Sequence, residues 1–403
     1  MLTFDIEKFI GKHVTHREES LLKADYLRNA DELHARIDGK RILVIGGAGT
    51  IGSNYVKAAL RHFKPAAMVV VDIDENALTE LTRDLRASSD YTIPDEYITE
   101  PIDLGSDLFD RFFKNSAPFD IVANFAARKH VRAERDLFSI EAMCETNAFM
   151  AKKLLDLLLD RPPEAFFCVS TDKAANPVNI MGATKKLMEE TIMAYAQRLP
   201  IKTARFANVA FSNGSLPQGW LHRIAKKQPL SCPLGIRRYF VSPIESGELC
   251  LFASVMANSG DIVYPKLSPE TDMIPFDIIV KAMLEEMSLG CRACTSSIEA
   301  KTAMTNLSAG YPCEFFESNT SGEKTFEEFF TETDSKDETR FINLGIVNNT
   351  TARPIDEIDA IFTRLRETFN RGDATKVDIV AILKDYLPDF HHIETGRSLD
   401  TRM

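Results

Sequence analysis

Asp172 and Lys173 stand side by side in Ser170-Thr171-Asp172-Lys173-Ala174-Ala175, with the Thr171 hydroxyl just before them. An acid and a base at adjacent positions suit elimination chemistry, in which one group removes a proton while the other protonates a departing hydroxyl. Such a pair works only with displaced pKa values: a desolvated lysine near further positive charge moves toward neutrality, and burial raises an aspartate. Downstream, Met181 and Lys185 lie four residues apart, so a helix there presents both on one face. The plainer readings are a salt-bridge lysine at Lys173 and a core-filling side chain at Met181.

These residues need a scaffold that brings them to one place. It starts at Ile42-Leu43-Val44-Ile45-Gly46-Gly47-Ala48-Gly49-Thr50-Ile51-Gly52, an apolar run of strand length that breaks into glycines spaced three apart. The run reads as a buried parallel strand. Gly46 makes the tight turn, Gly49 lets backbone approach a pyrophosphate, and Gly52 allows close helix–strand packing, with phosphate facing the N-terminus of a helix through Lys57. A second apolar run, Met68-Val69-Val70-Val71, ends in Asp72, 20 residues beyond Gly52. A carboxylate there hydrogen-bonds an adenosine ribose 2′-OH and repels a 2′-phosphate, which predicts NAD rather than NADP.

The chain has 403 residues, 44% of them hydrophobic, enough for a large core and two or three compact units. Its net charge of −11 argues against nucleic-acid and anionic-membrane partners. No apolar run reaches the roughly 20 residues that span a bilayer, and the first residues lack the pattern of a secretory signal, so a cytoplasmic location is expected. Seven scattered cysteines fit a reducing compartment. Cys291 and Cys294 form a CxxC without two further ligands at zinc spacing, so no metal is expected.

The fold expected is α/β: a doubly wound parallel sheet with a smaller substrate lobe toward the C-terminus and helical extensions at both ends. Residues 1–38 form a helical extension whose apolar stripe packs on the core or on a second subunit. Residues 39–212 alternate strand and helix, which makes them the dinucleotide-binding domain. Further runs at Tyr97-Ile98-Thr99, Ile121 to Ala126 and Ala165 to Ser170 continue that sheet, and ligands bind beyond the carboxyl ends of its strands. Residues 213–332 are mainly a substrate lobe that can return strands to the sheet. Residues 333–403 form a second extension, with amphipathic patterns from Ile355 to Phe369 and Val377 to Leu387.

Taken together, Gly46-Gly47-Ala48-Gly49-Thr50-Ile51-Gly52, Ala126-Ala127-Arg128-Lys129-His130-Val131, Ser170 to Lys186, Arg205-Phe206-Ala207-Asn208-Val209, Arg238-Tyr239-Phe240 with Pro243-Ile244-Glu245-Ser246, and Gly322-Glu323-Lys324 resemble the extended short-chain dehydrogenases of nucleotide sugars. Within them the likeness is to the UDP-N-acetylglucosamine 4,6-dehydratases of the CapD-like polysaccharide-biosynthesis group. The resemblance implies a Rossmann-type NAD domain, a nucleotide-sugar substrate and a homo-oligomer. Thr171 would hydrogen-bond the sugar 4-OH, Asp172 would act as acid for the 6-OH, and Lys173 would remove the C5 proton. Lys185 would hold the nicotinamide ribose. Met181 occupies the position where most short-chain dehydrogenases carry tyrosine, so Asp172, directly or through Thr171, would take the 4-OH proton. Gly46, Gly49, Thr50, Ile51, Gly52, Asp72, Asp103, Ala126 and Ala127 would contact the cofactor; Lys129, Asn208, Ser215 and Arg238 would contact the substrate. The chain departs from the family at Thr320-Ser321, where Arg-Pro is usual, at Ala207, where Gly is usual, and after Val131, where Pro is absent. Arg132 or Arg135 is a candidate replacement cation; the other reading is a solvated helix charge. A 4-epimerase and a non-catalytic NAD-binding sensor remain as alternatives to the dehydratase.

Overall fold

The computed structural model of the protein describes residues 4–317, 324, 328–348 and 352–394, apart from the side chains of residues 132 and 133. At its centre is a nine-stranded sheet made of β1 (Arg41–Ile45), β2 (Ala67–Val71), β3 (Glu96–Glu100), β4 (Ile121–Asn124), β5 (Ala165–Val169), β6 (Ile201–Ala204), β10 (Ile262–Pro265), β14 (Lys336–Asp337) and β15 (Leu344–Val347). The spatial order is β14-β15-β10-β6-β5-β4-β1-β2-β3, parallel from β3 to β10, with β15 and β14 added antiparallel. The strands at the middle are apolar and buried on both faces, as helical crossovers require, whereas β3 at the edge is only half-buried. Gly46, Asp72, Ala126, Thr171 and Asn208 all follow the carboxyl ends of strands and fall along one rim.

The second lobe is built from two small sheets. One joins β7 (Asn208–Val209), β9 (Arg237–Val241) and β11 (Met273–Pro275); the other joins β8 (Leu230–Leu234), β12 (Cys291–Cys294) and β13 (Tyr311–Glu317). Cys291 and Cys294 sit three apart on β12 and therefore point to opposite faces, Cys294 toward Ala300 and Ala303 and Cys291 toward the lobe's main core. The boundary at residue 333 does not separate sheet from appendage. β14 and β15 lie beyond it and complete the sheet edge, because the run from Leu344 to Val347 is wholly buried against β10.

The N-terminal extension packs on its own chain. Phe9, Ile10 and Val14 enter the core of the second lobe, while Leu22, Leu33 and Ile37 enter the main core. Asp25 is buried and accepts the N–H groups of Ile342 and Asn343 at 2.7 and 2.8 Å. The C-terminal helices Ile355–Phe369 and Lys376–Tyr386 match their amphipathic patterns. Their faces, with Ile358, Phe362, Leu365, Ile379 and Leu383 buried, close over Ile140, Phe149, Ile180, Met181 and Leu187. Each such side chain contributes about 1.5–3 kcal/mol on leaving water, an upper estimate. Among the described residues no helix is long and apolar enough to cross a membrane.

Candidate active site

The glycine loop performs three separate tasks. Gly46 has φ +70°, and a Cβ on it would lie 2.5 Å from the Ala126 nitrogen; a Cβ on Gly52 would lie 2.3 Å from the Gly46 oxygen. Both positions are closed to any side chain. A Cβ on Gly49 would meet only the Gly46 oxygen, at 3.5 Å, and otherwise faces open space at the start of the helix Thr50–His62. That space is a cavity of about 370 Å³ lined by Gly46, Gly49, Asp72, Asp103, Ala126 and Ala127, among others. Asp72 is fixed by main-chain donors, with Ala48 N–H at 2.9 Å and Asp74 N–H at 3.1 Å. Asp103 accepts the Gly105 N–H at 2.8 Å. The shape and donors fit the adenosine and pyrophosphate of a dinucleotide with a free 2′-OH.

Beyond Gly49 a second cavity, of about 270 Å³, is lined by Thr50, Ile51, Gly52, Thr171, Lys173, Met181, Lys185 and Asn208, together with Ala127 and Lys129. Here the acid–base residues converge. Asp172 Oδ1 accepts the Thr171 hydroxyl at 2.7 Å, the Lys173 N–H at 2.9 Å and the Lys173 ammonium at 3.1 Å. Asp172 is 3% exposed, so it reaches the cavity through Thr171 and Lys173, and its Oδ2 is buried without a hydrogen-bond partner. Asn208 Nδ2 is likewise unpartnered. Asn208 lines the cavity, so the cost of its unpartnered Nδ2 is one that a bound ligand can remove.

Lys185 lies on the helix Ile180–Met193 one turn beyond Met181 and donates to the Val169 carbonyl at 2.7 Å. Its burial pushes the ammonium pKa down. Desolvation also lowers Lys129, which stands between this cavity and a third one lined by Arg128, His130, Phe138 and Ser139. An anionic ligand at short range would favour the charged form of either lysine. Ser215 instead caps the helix Leu216–Ala225 by accepting the Gln218 N–H, and Arg238 is buried on β9; neither lines these three cavities. Arg135 pairs with Asp136 at 3.0 Å, the solvated reading, while the Arg132 side chain, Thr320-Ser321 and Gly322-Glu323 lie outside the described residues. Lys324 donates to the Asn176 carbonyl at 2.6 Å.

Several residues that hold the site escape a reading by motif. Glu189, four beyond Lys185, takes the Ser170 hydroxyl at 2.6 Å and a two-pronged contact from Arg205 at 2.9 and 2.7 Å. Arg205 also donates to the Phe329 carbonyl. Burial alone would raise the Glu189 pKa, but the Arg205 charge outweighs it and the net shift is downward. This ion pair joins the end of β5, the helix Ile180–Met193 and the end of β6. Asn147 does similar work, accepting the Arg128 N–H and donating to Thr184. The i, i+4 spacing of Lys185 and Glu189 was the signal available in the sequence.

Comparison with known proteins agrees with this geometry. Residues 42–349 match the family model described as polysaccharide biosynthesis protein. An uncharacterized membrane protein of Methanocaldococcus jannaschii is 34% identical over 263 residues, which cover 62% of this chain and 72% of that one. The inverting UDP-N-acetylglucosamine 4,6-dehydratase of Campylobacter jejuni serotype O:23/36 is 27% identical over 239 residues, covering 57% and 68%. Among solved structures, the dTDP-glucose 4,6-dehydratase DesIV of Streptomyces venezuelae, crystallised with NAD, aligns with a TM-score of 0.56 at 16% identity over 83% of this chain and 98% of its own. With the rim, the glycine loop and the family match covering the same residues, the chain belongs to the polysaccharide biosynthesis protein family.

Proposed function

We propose that the protein is an NAD-dependent sugar-nucleotide 4,6-dehydratase, with UDP-N-acetylglucosamine as the favoured substrate. The observation that carries this reading is the convergence of Thr171 and Lys173 on one carboxylate oxygen of Asp172, just behind the wall of the cavity that Thr171, Lys173, Met181 and Lys185 line. The loop from Gly46 to Gly52, Asp72 and Lys185 would hold the cofactor, and Asn208 and Lys129 would meet the sugar nucleotide. NAD, when bound, supplies reversible oxidation at C4, which makes the C5 proton acidic. Lys173, in its neutral amine form, then takes that proton. Asp172 protonates the departing 6-hydroxyl, having drawn the 4-OH proton through Thr171, whose hydroxyl already donates to it. A thioether cannot take a proton, so Met181 serves as a wall rather than a base. The same substitution disfavours a 4-epimerase, which needs a base at C4 and has no task for Lys173.

The test is turnover of UDP-N-acetylglucosamine in deuterated water. A dehydratase gives a 4-keto-6-deoxy product with one solvent deuterium at C5 and a C4 label retained at C6. A 4-epimerase gives a product of unchanged mass, and no conversion of any sugar nucleotide would leave only a binding protein. Either result would overturn the proposal.

A further inference from the structure

The segment that carries the chemistry is held from outside by residues distant in sequence. Between Lys173 and Met181 the loop through Ala174, Pro177 and Asn179 has little regular structure, yet it sets where the helix Ile180–Met193 begins. A helix start leaves its first N–H groups without internal partners. Asn179 takes that of Gly182 at 2.7 Å, and Glu134, from a separate short helix, takes that of Met181 at 2.9 Å. A carboxylate at this end also meets the positive end of the helix dipole.

Two of the loop's carbonyls are taken by the C-terminal extension, and that of Asn176 by Lys324. His391 N–H donates to Pro177 at 3.1 Å and Ile393 N–H to Val178 at 2.9 Å. Between them the His392 side chain is 7% exposed, and its Nε2 stands 3.7 Å from Glu134 Oε2, within ion-pair range. Just upstream, Leu387 and Phe390 are buried in the cluster that contains Ile180 and Met181. Residues 387–393 therefore reach the start of the helix Ile180–Met193 by apolar packing and main-chain hydrogen bonds, with the His392 ring set beside Glu134. All of them lie beyond the stretch, 42–349, that matches the family.

We propose that residues 391–393, with Glu134, are a positioning clamp of the active site: they fix the loop from Ala174 to Asn179 and so the placement of Met181 and Lys185 against Thr171 and Lys173. A mobile loop here would displace Lys185 relative to the strand end that carries the acid and base. A misplacement of about 1 Å costs roughly a hundredfold in rate.

The test uses the full chain. Ile393→Pro deletes the donor to Val178, and Ile393→Ala keeps it. In Ile393→Pro, amides of residues 174–185 should exchange at least about tenfold faster while amides of the central strands keep their protection. NAD should bind several-fold more weakly, and kcat should fall at least about tenfold with KM changed less than about threefold. Ile393→Ala should behave as the parent. Glu134→Ala should reproduce the loss, and Glu134→Gln, which still offers an oxygen to Met181 N–H, should restore most of it. Unchanged exchange at 174–185 in Ile393→Pro, or increased exchange with unchanged kcat and unchanged NAD affinity, would overturn the clamp. The kinetic arm rests on the dehydratase reading; if the parent turns over no sugar nucleotide, that reading fails, and exchange and NAD affinity still decide the clamp.

Discussion

At the adenosine end of the cleft the groups that face a ligand are main-chain ones or are held by main chain. Gly49 opens onto the cavity, and the Asp72 carboxylate is fixed by the N–H groups of Ala48 and Asp74. At the end where the proposed reaction would take place the groups are side chains, most of them buried, and apart from Lys185, held by the Val169 carbonyl, they lean on other side chains: Thr171 and Lys173 on Asp172, Ser170 on Glu189, Glu189 on Arg205. The first construction is local, since a turn and two strand ends create it. The second depends on the packing of β5, β6, the helix Ile180–Met193 and both C-terminal helices, so it should fail more readily when one distant contact is removed.

Four changes would break or sharpen that contrast. The largest effect is expected from Lys173→Met. Loss of a general base costs on the order of 10²–10⁴ in kcat, with substrate binding kept because proton transfer belongs to the transition state. Steady-state kinetics would check it, and turnover within a few-fold of the parent would remove Lys173 from the mechanism. Next is Arg205→Met, which leaves Glu189 buried without its counter-charge and should destabilise the fold by about 3–5 kcal/mol. Urea unfolding reads that loss, and a change below about 1 kcal/mol would show that the pair merely fills space.

Asp72→Ala probes the adenosine end. It should weaken NAD binding by about 1.5–3 kcal/mol, the worth of a charge-assisted hydrogen bond to ribose, and leave the melting temperature nearly unchanged. Calorimetry of NAD binding settles it; an unaltered dissociation constant would make Asp72 a strand-end charge only. The smallest effect is a slope with pH. Burial lowers the Lys185 pKa from its ordinary 10.5, so between the lowered value and 10.5 the unfolded chain keeps a proton that the folded chain has lost. Unfolding free energy should therefore rise with pH across that window, and below it the burial penalty is felt in full. Lys185→Met should reduce the slope, with Lys202, lowered to about 8 by burial, keeping its own share; identical slopes in parent and variant would mean that the amine is hydrated in the folded state.

The same contrast explains which parts were legible in the sequence. Gly46, Gly49, Gly52 and Asp72 could be placed by spacing, because a tight turn and a strand end constrain residues close together in the chain. The strand runs were legible for a similar reason: an apolar stretch buried on two faces has few alternatives. Thr171, Asp172, Lys173 and Lys185 were marked as candidates through motif, and the meeting of Thr171, Lys173 and Lys185 at one cavity follows from the sheet order. Glu134, Glu189 and His392 were not marked as site residues, since a charged residue on a helix or in a tail reads as solvated until its partner is known. β14 and β15 were read as part of an appendage because charged residues surround the four apolar ones of β15, and only the exposed edge of β10 explains their place.

The hydrogen bonds from Ile342 and Asn343 to Asp25 span 317 and 318 residues of chain. They impose an order in time. Asp25 is synthesised before either donor, and its buried carboxylate lacks these two main-chain partners until residue 343 has followed, roughly 15–60 s later at ordinary rates of synthesis. The helices of the N-terminal extension must therefore wait, solvated, while the sheet assembles behind them, and they dock only when the strand that completes the sheet edge arrives.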